Sequence, residues 1–239
     1  MTTPEYKPTK IELKFKKYYD KLIWETINAR AHLKLWECLE KYKSSYLHEL
    51  NQAPHFFNFT IKAHLDDALL TLSRILDKHG KALSIWKLLN FAEQNLEIFS
   101  TEVFRQRMIQ KPKFWTESHR PATLKEIEEH RQKLRSLESA LGNLKEWRKK
   151  VLAHTDHEFL LKGKIISKEY PLRRQQLQEV IESLVEILNR YSLAYDSSTF
   201  LEKFIGEDDV QRVMDAIRSD IEDRKKQLEA LRNQALYKR

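Results

Sequence analysis

One cysteine, four glycines and six prolines are all this chain of 239 residues holds of the types that most constrain local structure. With Cys38 alone, an intramolecular disulfide is impossible and a cysteine-rich zinc site is excluded. Cys38 fits a small buried hydrophobe on a helix. Scarce glycine and proline beside abundant Leu, Lys, Glu and Ala suit long helices joined by few turns. No apolar run approaches the roughly 18 residues of a membrane span. The opening stretch Met1-Thr-Thr-Pro4 has no apolar signal core, so a cytoplasmic protein with no membrane contact is the expectation. There is no glycine-rich phosphate loop, which makes a nucleotide-binding regulator a weak reading.

What is present is a core's worth of apolar residues (41%) and a net charge of +8. The charge is uneven. Between Arg105 and Arg174 stand 18 Lys/Arg against 9 Asp/Glu, a balance of +9, and the remainder carries about −1. Such a segment suits a polyanion, with RNA the natural candidate, although lysine-rich helices are also simply well solvated.

Apolar spacing at threes and fours predicts a helix from about Glu12 to Leu50, bent or broken near Asn28 and ended by Asn51-Gln-Ala-Pro54. A second helix runs from about His55 or Phe56 to Lys78 and is closed by His79-Gly80. Ser84 is placed to cap a short third. From Ser100 to Ala122 the pattern weakens into a connector crowded by Arg105, Arg107, Lys111, Lys113 and Arg120, with Phe104, Phe114 and Trp115 interleaved. Thr123, with Glu126 set for a capping box, opens a helix that ends close to His154. Thr155 to Tyr170 reads as a loop with two extended pieces, Glu158–Leu161 and Lys164–Ile166. Pro171 opens a helix through about Tyr195. Asp208 or Asp209 caps a last helix whose Met214, Ile217, Ile221, Arg224, Leu228, Leu231 and Ala235 follow a 3-4-3-4 spacing. That stripe either packs on its own domain or pairs with another chain. The expectation is therefore an all-α, up-and-down helical bundle. One helical domain covers 10–197 with a basic connector at 100–122, and a C-terminal amphipathic helix covers 207–239.

The chemistry concentrates in Arg148-Lys-Lys-Val-Leu-Ala-His154-Thr-Asp156. Cleaving RNA without a metal requires removing the proton of a 2′-hydroxyl and stabilising the crowded phosphorane and the departing 5′-oxygen. His154 is a group that takes and gives a proton near neutral pH. Arg148 offers a fixed fork of donors to developing negative charge. Lys149 and Lys150 are placed to hold flanking phosphates, and Asp156 to orient His154. In a regular helix six residues advance about 600°, so Arg148 and His154 would point about 120° apart. Two copies facing each other across a two-fold axis would bring the groups of both chains into one groove. Taken alone, the pair is also what a helix-capping histidine and a surface arginine look like. His64 and Asp67 share the second helix without partners at metal-ligand spacing, so no metal and no cofactor are assigned.

This string, at the end of the fourth helix of an all-α chain, resembles the signature of the HEPN superfamily: an arginine, four to six residues, and a histidine. Leu50-Asn-Gln-Ala-Pro54-His-Phe56-Phe57 and Leu72-Ser73-Arg74-Ile75-Leu76-Asp77 are similar to the AbiU-type branch, named for phage abortive infection. The resemblance covers roughly residues 15 to 195. It implies a metal-independent endoribonuclease that dimerises to build its site and acts as a toxin or in phage defence, often beside an antitoxin or nucleotidyltransferase-type partner. Arg148 and His154 match the family pair, and Ser73, Arg74 and Asp77 are candidates to support their groove. Active members often place Asn, Asp or His directly after the arginine, where this chain has Lys149. The resemblance thus also admits a non-catalytic helical module that binds RNA or a protein partner.

Overall fold

The protein is described by a computed structural model over residues 6–78, 81–109, 119–152, 156–200 and 206–237. Every regular element among the described residues is helical. In chain order these are α1 Lys10–Tyr42, α2 Leu47–Leu50, α3 Pro54–Ile75, α4 Ile85–Gln94, a 3-10 turn Leu96–Phe99, α5 Thr101–Arg107, α6 Leu124–Ser136, α7 Glu138–Trp147, a π-helical turn Arg148–Leu152, α8 His157–Leu161, α9 Ile166–Glu169, α10 Arg174–Asp196 and α11 Glu207–Tyr237. The all-α expectation holds. No described helix is long and apolar enough to cross a membrane.

The chain divides into two compact units, one of Met1–Arg30 with Ala68–Glu202, the other of Ala31–Asp67 with Lys203–Arg239. In the first, α10 is the central element. Its Leu184, Ile187, Leu188 and Tyr191 are buried, as are Phe15 and Leu22 of α1, Leu72 and Ile75 of α3, and Leu88 and Leu89 of α4. A Leu or Ile removed from water in this way contributes roughly 1.5–3 kcal/mol. In the second unit Leu39, Tyr46, Leu50, Phe57, Ile61, Val210 and Met214 form one cluster, with Ile217 packed against it.

Several boundaries differ from the sequence reading. Helix α1 runs unbroken through Asn28 and ends at Tyr42; a turn then leads into α2. The helix opened by Thr123 carries the expected capping box, Thr123 Oγ1 accepting from the Glu126 N–H at 3.2 Å and Glu126 accepting from the Thr123 N–H at 3.0 Å. It does not run whole to His154, however. Leu137 leaves helical geometry at ψ 10°, and just before it the Ser136 hydroxyl donates to the Lys133 carbonyl at 2.7 Å, a local bond that competes with the helix ladder. The extended piece expected at Glu158–Leu161 is helical instead, within α8, whereas of Lys164–Ile166 only Ile166 is helical, opening α9, and Ile165 before it has extended backbone. Of the connector at 100–122, Thr101–Arg107 is helical and capped by the Ser100 hydroxyl, and Phe104 is fully buried. Lys111, Lys113, Phe114 and Trp115 lie outside the described residues, as do His79 and Gly80.

Candidate functional site

The C-terminal end of α3 and one face of α7 line an open cavity of about 580 Å³. Ser73, Leu76, Asp77 and Lys78 come from the α3 end; Glu138, Leu141, Gly142, Leu144, Lys145, Arg148 and Lys149 come from α7 and the π turn. The α7 residues recur at threes and fours, so one helix face supplies a whole wall. Leucines form its apolar part, while Lys78, Lys145, Arg148 and Lys149 outnumber the carboxylates of Asp77 and Glu138. A cavity with an apolar lining and a few converging charged groups is the usual form of a ligand site.

Arg148 is the pivot. Its Nη1 donates to Asp77 Oδ2 at 3.0 Å, across 71 residues of sequence. The pair is neither buried nor free, with side chains 35% and 22% exposed. Arg148 therefore keeps guanidinium donors facing the cavity while Asp77 fixes its orientation. Lys149 is exposed at the rim. Glu138 approaches Lys78 at 3.9 Å, and Lys78 also lies over the Trp86 ring at 4.8 Å. Gly142 lies within α7, where glycine costs roughly 0.5–1 kcal/mol relative to alanine. A Cβ there would meet nothing within 4 Å, so the glycine answers no packing need and leaves the cavity wider.

Lys150 belongs to a different environment. Its ammonium is 3.7 Å from Glu146 and 3.6 Å from Asp156, and lies 5.3 Å over the Phe159 ring and 6.0 Å over Tyr170. The Asp156 N–H donates to the Lys150 carbonyl at 3.1 Å, and Asp156 Oδ1 accepts from the Phe159 N–H at 2.8 Å. Lys150 and Asp156 are thus joined through both backbone and side chain. Upstream, the Trp147 indole N–H donates to the Tyr170 carbonyl at 2.8 Å. Regular α-helix ends at Trp147 and π geometry follows over Arg148–Leu152. π turns of this kind occur mostly as single insertions, frequently at functional sites.

The other sequence candidates fall as follows. Ser73 lines the cavity, its hydroxyl donating to the Leu70 carbonyl at 2.7 Å. Arg74 is not brought to it: it pairs with Glu25 at 2.8 Å and bonds Thr71 Oγ1 at 3.1 Å. Asp77, three residues on, pairs with Arg148. His154 lies outside the described residues. Lys78, Glu138, Gly142 and Lys145 were not singled out from sequence; the 3–4 spacing that leads back from Arg148 along one face of α7 could have found the last three, and Lys78 directly follows Asp77.

In the second unit His32 Nδ1 and His64 Nδ1 lie 3.2 Å apart, with Asp67 3.6 Å from His32. Burial, then the neighbouring His32, hold the His64 imidazole below its ordinary pKa. Among the described residues no three His, Cys, Asp or Glu side chains are grouped to hold a metal ion.

Neither the curated proteins nor the solved structures include a match to this chain. A family model does match: that of the HEPN_AbiU2 family, described as AbiU2, over residues 12–216. The match spans α1 through the first third of α11 and contains every residue of the cavity. The chain is therefore a member of the AbiU2 family of HEPN domains.

Proposed function

We propose that the protein is a metal-independent endoribonuclease of the HEPN type, acting in abortive infection or as a toxin. The observation that carries this reading is Arg148: a permanently charged fork, oriented by Asp77, on the wall of a cavity where cations outnumber carboxylates. In this reading His154 removes the 2′-hydroxyl proton. The 2′-oxygen attacks phosphorus, the bond to the 5′-oxygen breaks, and that oxygen takes a proton from an imidazolium. Arg148 exchanges part of its contact with Asp77 for the phosphorane oxygens as charge develops there. Lys149 and Lys145 hold flanking phosphates. Two histidines, one for each proton transfer, are available when two copies share a groove, which is why a homodimer belongs to the proposal. No metal or cofactor enters it, and an antitoxin or nucleotidyltransferase-type protein is the class of partner that would restrain it.

A non-catalytic module that binds RNA or protein is the second reading, favoured by Lys149 following the arginine and by the ion pair that already occupies Arg148. Total RNA incubated with the purified chain in excess chelator separates the two. The nuclease reading expects fragments with 2′,3′-cyclic phosphate and 5′-hydroxyl ends, lost in His154→Ala. RNA bound but left intact under these conditions supports the module.

A further inference from the structure

We infer that the outer part of α11, beyond Ile221, is a docking surface for an amphipathic helix of another protein with acidic flanks. Helix α11 has 31 residues, and its two parts are differently employed. Before Ile221 it is anchored: Met214 and Ile221 are buried, the Tyr46 hydroxyl donates to Asp215 at 2.6 Å, and Arg218 donates to Glu49 at 2.5 Å. From 222 to 235 every residue is exposed. A helix of that length gains little from its own hydrogen bonds in water, yet this one carries Leu228 and Leu231 at 67% and 62% exposure. They continue, in register, the stripe that is buried upstream.

The composition of that face selects the occupant. At about 100° per residue, Leu228, Leu231 and Ala235 fall within one sector of roughly 60°. Arg224, Lys225 and Arg232 fall beside them, within about 60° of Leu228, whereas Glu222, Asp223 and Glu229 lie about 100° or more away. Arg224 also pairs with Asp220 one turn back, a surface contact that is readily exchanged. Apolar residues need an apolar complement, and cations on the same face need carboxylates. A second copy of α11 supplies the first but sets cation against cation. RNA supplies the second but leaves the leucines in water. A helix with an apolar seam and flanking glutamates supplies both.

The test uses the full chain and two designed helical peptides about three heptads long, both with leucine at the seam, one with glutamate and the other with lysine at the flanks. The glutamate peptide should bind, more weakly at high salt, and at least about tenfold more tightly than the lysine peptide. Leu228→Asp with Leu231→Asp should abolish binding while leaving the circular dichroism of the chain essentially unchanged. Reversing Arg224, Lys225 and Arg232 to Glu should invert the preference between peptides. Failure of the glutamate peptide to bind, or equal binding of both, overturns the inference. So does self-association, RNA binding or anionic-vesicle binding that the double leucine variant removes, since each names a different occupant. None of these outcomes depends on whether the chain cleaves RNA.

Discussion

Two arginine–carboxylate pairs in the same unit show how differently one side chain is used. The Arg107 side chain is only 9% exposed and makes four hydrogen bonds. It donates through Nε and Nη2 to Glu12 at 3.1 and 2.5 Å, to the Ile98 carbonyl at 2.8 Å and to the Tyr195 carbonyl, and it lies 3.7 Å over the Tyr195 ring. Burial pushes the Glu12 carboxyl upward, but the Tyr6 hydroxyl, the Thr9 N–H and Arg107 outweigh it, and the group is held below the usual carboxylate range. Arg148, by contrast, has one hydrogen bond among the described residues, to Asp77, and stands on the wall of an open cavity. An arginine with most of its donors matched in a nearly dry site is a structural fastener. One that is aimed but unsaturated is ready for an anion.

The largest expected effect breaks the fastener. Arg107→Met leaves the Glu12 carboxylate buried without its cation and should cost about 3–5 kcal/mol of stability, read as a lowered denaturation midpoint. A change below about 1 kcal/mol would show that the contrast between the pairs is not energetic. The next test sets Lys149 against Lys150. Lys150→Met removes an ammonium held by two carboxylates and two rings and should cost about 1 kcal/mol. Lys149→Met should leave stability alone and reduce the salt dependence of RNA binding by about one counterion. The reverse pattern would exchange the roles assigned to them.

The smallest effect concerns pH. His130, bonded to the Tyr191 hydroxyl at 3.1 Å, and His119, bonded to the Ala194 carbonyl at 3.1 Å, are both held below 6.5, chiefly by burial. The unfolded chain therefore binds more protons than the folded one just below that pH. Their contribution to stability is complete above about pH 6.5 and declines as pH falls toward the folded-state values. Urea midpoints at about pH 7.5 and about pH 5.5 should fall in that order. His130→Phe should flatten the dependence; an unchanged slope would remove His130 from the account.

Much of the frame was legible because it rests on local chemistry. The capping box at Thr123, the stop at Asn51–Pro54 and the apolar face of α10 are written in adjacent residues. The breaks were not. The π turn at Arg148–Leu152 depends on where Trp147 and Lys150 find partners, in Tyr170, Phe159 and Asp156. The short apolar runs at Phe159–Leu161 and Ile165–Ile166 fit helix or strand equally well by spacing. The heptad stripe of α11 was readable, but Leu39, Tyr46 and Phe57 decide which part of it is covered. At the candidate site, the motif string drew attention to Arg148, and Asp77 was marked as a possible support. Their direct contact spans 71 residues and could not be read from periodicity.

The central claim is that Arg148 is employed in chemistry and not in holding the fold. It is tested most directly by measuring the denaturation midpoint and the metal-free RNA cleavage rate of Arg148→Ala on one preparation. The account predicts stability within about 1 kcal/mol of the parent chain and cleavage slower by about 10²–10³-fold. A variant that unfolds readily, or one that remains stable and cleaves at the parent rate, would contradict it.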